Sequence, residues 1–229
     1  MHRVVSIGPL CFAATTLKRI GVRDAAYPFD WIFTTPDIVL DCVRDDFRMF
    51  FDETQMPEGA CSGRNTNVTY FPNNAHHHNI FMYMHHNPLR TEHRAYFERA
   101  ADRFRALLRP PPGADVPKVT LLLTLLDEST YGSVERADAH GACPSKWPVD
   151  RIVAFRRRLG ELAGCDFTLL CVRQLAVGPS RSVELRRGDE GVDFMDLTTT
   201  SSSEGTHFCD HNDNAMLDAA LREYLAVEV

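Results

Sequence analysis

The sequence predicts a single α/β domain over residues 1–229, with a mostly parallel sheet and helices on both faces in three layers. Three observations predict it. Short apolar stretches alternate with amphipathic helical ones, the arrangement that builds parallel sheets. The run Val119-Thr120-Leu121-Leu122-Leu123-Thr124-Leu125-Leu126 is apolar without alternation, as a strand covered on both faces must be. No repeat and no linker rich in Pro, Gly or Ser divides the chain, so one core is expected.

The elements follow in order. Residues 3–7 form a strand that turns at Gly8-Pro9-Leu10 into a helix from Cys11 to about Ile20. Ala13, Ala14 and Leu17 give that helix its inward stripe, and Gly21 ends it. Thr35-Pro36 opens a second helix, in which Ile38, Val39, Cys42, Val43 and Phe47 recur at helical spacing. Residues 52–90 are polar and irregular, with short strands expected at 68–71 and 80–84. From Glu92 to Arg109, Tyr96, Phe97, Ala100, Ala101, Phe104, Leu107 and Leu108 keep the three-and-four rhythm until Pro110-Pro111-Pro112-Gly113 stops it. After the apolar strand come a polar loop, a helix over 149–163 and a strand over 167–172. A further loop, a strand over 192–197 and a last helix over 213–226 complete the chain. The loops at 52–90, 127–148 and 198–212 are where a site would be built.

Composition narrows the function. Lys and Arg number 25 against 31 Asp and Glu, a net charge of −6 that argues against a nucleic-acid or anionic-membrane partner. The apolar runs fall far short of the roughly 20 residues of a spanning helix. Met1 to Gly8 reaches its first glycine too soon for a signal peptide, so a cytoplasmic location is expected. Seven cysteines without any CxxC pair write neither a zinc ribbon nor a thioredoxin-type site. Without a P-loop, a GxGxxG after the first strand or a GxSxG, no nucleotide cofactor is indicated and none is expected.

Two strand-to-helix junctions carry chemistry. Cys11 stands in the first turn of the first helix, where the dipole and orphan N–H groups favour a thiolate. A buried small residue is the alternative reading of that position. The segment Glu204-Gly205-Thr206-His207-Phe208-Cys209-Asp210-His211 precedes the last helix and supplies His207 as a base and Asp210 to orient it. Asn212 or Asp213 is expected to cap that helix. His76-His77-His78, His85-His86 and His93 form a central cluster, read as pocket-lining residues, with His77 and His85 placed at the substrate and a metal site as the alternative. One of them could replace His207 as base. Tyr27-Pro28-Phe29-Asp30-Trp31-Ile32 reads as an aromatic plug that brings Asp30 and Trp31 to the mouth of the site.

Ser6-Ile7-Gly8-x-x-Cys11, Leu17-x-x-Ile20-Gly21-Val22-Arg23 and Tyr27-Pro28-Phe29-Asp30-Trp31 together resemble the opening of a bacterial family described as putative papain-like cysteine peptidases. The histidine-bearing segment 76–86 is similar to one in the middle of that family, and Gly205-Thr206-His207-Phe208-Cys209-Asp210 to its ending. The resemblance implies a thiol hydrolase with Cys11 as nucleophile, His207 as base and Asp210 as its partner. It also implies a papain-like α+β fold, whereas the order of elements is similar to the SGNH-type esterase and flavodoxin-like layout.

The reading is therefore a hydrolase or acyltransferase for a peptide, or a small acyl or ester substrate, needing no metal. A metal-dependent enzyme built on the central histidines and a non-catalytic binding protein on a hydrolase-like fold are the alternatives.

Overall fold

The computed structural model describes residues 2–57, 64–71, 81–126 and 147–227. Among them, β1 (His2–Ser6), β2 (Lys118–Leu125), β3 (Thr168–Val177), β4 (Ser182–Arg187) and β5 (Val192–Thr199) form one sheet in the order β1-β2-β3-β5-β4. The pairs β1–β2, β2–β3 and β3–β5 are parallel, and β4 runs antiparallel along the edge. The helices are α1 (Cys11–Arg19), α2 (Pro36–Arg44), α3 (Thr91–Leu108), α4 (Val149–Leu162) and α5 (His211–Val227). The mostly parallel α/β sheet expected from the sequence is the one the chain forms.

Alternation along the strands makes the layers. Val5, Leu121, Leu123, Leu169 and Phe194 face one core, shared with Ile38 of α2, Phe97 and Phe104 of α3, and Ile152 and Phe155 of α4. Their neighbours Val4, Leu122, Leu170, Met195 and Leu197 face the other core, shared with Phe12 and Leu17 of α1 and Leu217 and Tyr224 of α5. Each such side chain, fully buried, contributes on the order of 1.5–3 kcal/mol of transfer free energy. Apolar residues on both sides of β2 are thus needed twice over, which is why its sequence shows no alternation.

Two expectations are corrected. Ser182–Arg187 was expected as loop and is a strand, because an edge strand with only Val183 half-buried has no apolar pattern to read. It is held by its ladder to β5 and by ion pairs from Arg186 to Asp196 and Arg187 to Asp193. The strands expected at 68–71 and 80–84 are not ladders. Residues 68–70 form a turn, and Tyr83 alone makes isolated bridges to Ile32 and Asn65. Residue 80 lies outside the described residues.

Candidate active site

β1 ends at Ser6 and α1 begins at Cys11, so the thiol stands at the carboxyl end of the sheet, where open α/β folds bind ligands. Gly8 makes the turn between them with φ +89°, and a Cβ there would collide with Thr34 Cγ2. The Gly8 carbonyl accepts from Thr124 N–H at 3.1 Å, and the Pro9 carbonyl accepts from Thr34 N–H at 3.0 Å. The turn is thereby tied to β2 and to the segment ahead of α2. Leu10 packs into the α2–α3–α4 core and Phe12 into the α1–α5 core, leaving Cys11 between them at 7% exposure. No side chain caps α1, and its first turn holds no carboxylate. The positive end of the helix therefore acts on Cys11 undiluted by an acidic residue of that turn.

Among the described residues, His85 meets the thiol, its Nε2 3.7 Å from Cys11 Sγ. His85 is exposed, yet its backbone is held on both sides. Met82 carbonyl accepts from Phe33 N–H at 2.8 Å, Tyr83 and Asn65 exchange backbone bonds at 2.8 and 3.1 Å, and Asn87 N–H donates to His93 Nδ1 at 2.9 Å. The Tyr83 hydroxyl donates to Phe50 carbonyl at 2.6 Å, and Asn65 Nδ2 donates to Asn87 Oδ1 at 3.1 Å. Desolvation of the ring and then the Arg64 charge hold the His85 imidazole below its ordinary 6.5. That shift favours the neutral imidazole, the form in which a histidine can accept a proton.

The aromatic plug positions that ring. Asp30 is 1% exposed. Its Oδ2 accepts from Arg23 Nε and Nη2 at 3.1 and 2.7 Å and from Tyr27 N–H at 2.9 Å. Burial pushes the Asp30 carboxyl up, against the opposing pull of Tyr27 N–H and Arg23. The Arg23 guanidinium lies 5.4 Å from the Trp31 ring centroid, and Trp31 meets His85 edge to face at 6.3 Å. Asp30 thus fixes Arg23, Arg23 backs Trp31, and Trp31 backs His85. Trp31 keeps a place in the wall of the site, while Asp30, expected at the substrate, acts from beneath it.

The expected grouping of Cys11, His207 and Asp210 is not what the structure brings together. Phe208 turns inward onto Phe12, ring centroids 5.0 Å apart, and the neighbouring His207 side chain is 50% exposed. His207 Nδ1 is 2.8 Å from Thr206 Oγ1, and its Nε2 is 3.7 Å from Glu204. Asp210 is committed elsewhere: it ion-pairs with Arg181, accepts from the Thr200 hydroxyl at 3.1 Å and from Asn212 N–H at 2.8 Å. It therefore takes the capping role at α5 that the sequence gives to Asn212 or Asp213. Asp213 is fully buried and accepts from Thr200 and Ser201 N–H and from Arg181.

His86 turns away from the thiol, its ring 4.4 Å from Tyr96 and 5.0 Å from His93. Burial, with Asp30 next in weight, pushes the Tyr96 hydroxyl up to about 12. His76, His77 and His78 lie outside the described residues. Among the described residues no group of three or more His, Cys, Asp or Glu stands close enough to hold a metal ion. No helix among them is long and apolar enough to cross a membrane. Arg23, Asn65 and Asn87 were not singled out for the site in the sequence. The signal that could have found the two asparagines is an Asn either side of a histidine-bearing loop, since buried amides need partners.

A family whose description reads "Putative papain-like cysteine peptidase" matches residues 2–130. That span holds Cys11, Arg23, Asp30, Trp31 and His85, and it ends before His207 and Asp210. No curated protein and no solved structure matches the chain.

Proposed function

This chain belongs to the family described as "Putative papain-like cysteine peptidase", and from that premise we propose a thiol-dependent acyl hydrolase in which Cys11 is the nucleophile and His85 the base. The observation that carries the reading is the 3.7 Å approach of His85 Nε2 to Cys11 Sγ at a helix start and a sheet's carboxyl end.

The chemistry follows from those positions. His85 Nε2 takes the thiol proton as Cys11 Sγ attacks the carbonyl carbon of an amide or ester. Backbone N–H groups around Leu10–Phe12 receive the oxyanion. The imidazolium returns its proton to the leaving amine or alcohol, leaving an acyl group on sulfur. A water, deprotonated by His85, then releases the acid; an amine or alcohol in place of water makes the same steps an acyl transfer. A base of this kind contributes about 10²–10⁴ to the rate. Cys42 and Cys171, also thiols of this chain, are fully buried and their ionisation is pushed far up by that burial, so neither competes for the role.

The test uses a generic activated ester, p-nitrophenyl acetate, with mass spectrometry of the quenched protein. Acetyl is expected on the peptide carrying Cys11, with both burst and turnover gone in Cys11→Ala. Ester cleavage that survives Cys11→Ala, or acetyl found on another residue, sinks the assignment.

A further inference from the structure

One cation on the segment that crosses Tyr83 is not used in the steps above. Arg64 is exposed and immediately precedes Asn65, whose backbone is bonded to Tyr83 in both directions. In that antiparallel crossing Arg64 runs alongside the segment that carries His85 two residues later. Its guanidinium sits 6.0 Å from the Phe81 ring centroid, on the same segment. Other arginines of the chain are paired with carboxylates: Arg23 with Asp30, Arg94 with Glu53 and Glu98, Arg151 with Asp37. Among the described residues no carboxylate pairs with Arg64.

We propose that Arg64 is a specificity residue of the Cys11–His85 site and receives a carboxylate carried by the acyl substrate. The inference rests on Cys11 and His85 being the reacting pair. A guanidinium offers a planar fork of N–H donors that fits a carboxylate in two parallel bonds, and an aromatic ring behind it fixes the fork's plane.

A second consequence supports the first. The Arg64 charge opposes protonation of His85 in the empty site. A carboxylate seated on Arg64 cancels that charge, so His85 gains basicity when an anionic substrate is present and not when a neutral one is. Recognition and base strength are then coupled through one side chain.

The experiment compares iodoacetate with iodoacetamide, two alkylating agents that differ by a carboxylate, on the full chain at neutral pH and low salt. Rates are read at Cys11 by mass spectrometry, with exposed Cys209 as the internal reference thiol. The iodoacetate-to-iodoacetamide ratio is expected to be higher at Cys11 than at Cys209. In Arg64→Gln the ratio at Cys11 is expected to fall about fivefold, the scale of one partly screened charge pair, with Arg64→Lys intermediate because it keeps the charge but not the two parallel bonds. Raising the salt to about 1 M, where the Debye length is near 3 Å, should shrink the ratio in the native chain and leave Arg64→Gln unmoved. A Cys11 that reacts fast with iodoacetamide but shows the same ratio with and without Arg64 overturns the specificity role and leaves the nucleophile standing. A Cys11 no faster than Cys209 toward either reagent overturns both.

Discussion

Cys11 and His85 are 74 positions apart in the chain and 3.7 Å apart in space, Sγ to Nε2. Two different devices bring them there. The cysteine is placed by a strand-to-helix turn that needs Gly8, and the histidine by a loop bonded on one side to the 31–34 segment and on the other to Asn65.

The base is expected to show in labelling. Iodoacetamide near pH 7 should modify Cys11 ahead of Cys42, Cys171 and Cys209, and His85→Ala should slow Cys11 several-fold while leaving Cys209 unchanged. His207→Ala should leave Cys11 labelling as it is. If the two variants exchange these effects, the base belongs to the loop before α5.

The pH dependence follows from the sign of the His85 shift. Its imidazole is held below 6.5 and works only when neutral, so turnover of a neutral ester should be full at pH 7 and fall as pH drops through a value below 6.5. In Arg64→Gln the acid limb should move to higher pH, because a charge opposing the imidazolium has gone. An acid limb above 6.5 in the native chain contradicts this environment for the ring.

Trp31 is expected to act by positioning. Trp31→Ala removes the ring that backs His85 and lets Arg23 lose its stacking partner. Turnover should fall, and the acid limb should move toward 6.5 as the imidazole becomes better solvated. Trp31→Phe, which keeps an aromatic edge, should restore most of both. A loss of turnover with no movement of the pH profile would reduce Trp31 to a structural plug.

Gly8→Ala should be costly at a position that no reaction step touches. The added Cβ meets Thr34 and the φ of +89° is disfavoured for Ala, for a combined cost of at least about 1–3 kcal/mol. Thermal unfolding should drop by several degrees and Cys11 should lose its labelling advantage even in the molecules that remain folded. A native melting temperature would show that the turn can relax around a methyl group.

Asp210→Asn separates the capping role from a catalytic one. The carboxylate is held by Arg181, Thr200 and the α5 backbone, so the variant should lower the melting temperature slightly and leave the Cys11 pH profile in place. A shifted profile would tie Asp210 to the base.

Most of the sheet was legible because β2 and its neighbours are buried on both faces and their sequences must say so. β4 was not, since an edge strand made of Ser182, Glu184, Arg186 and Arg187 around one half-buried Val183 is stabilised by pairing rather than by burial. The place of Cys11, after β1 and at the start of α1, could be read from the strand-turn-helix order around it. The approach of His85 to Cys11 could not be read, because adjacent histidines in an irregular loop carry no signature of direction. What gives His85 its direction is backbone pairing of Met82 and Tyr83 with Phe33 and Asn65, bonds any residue can make and no side chain announces. His207 looked better fixed for lying next to β5 and α5, yet it is Phe208 beside it that the core takes in.

Leu10 and Phe12 point into opposite cores, and that divergence makes the site a seam. The thiol rides on α1, which belongs with α5, while the loop bearing His85 belongs with α2 and α3 through Met82 and Tyr83. Neither half of the molecule contains a reacting pair by itself. Bringing the two side chains together ties the geometry of the pair to both cores at once. It also makes the rate of a small thiol reagent at position 11 a gauge of whether both halves are assembled.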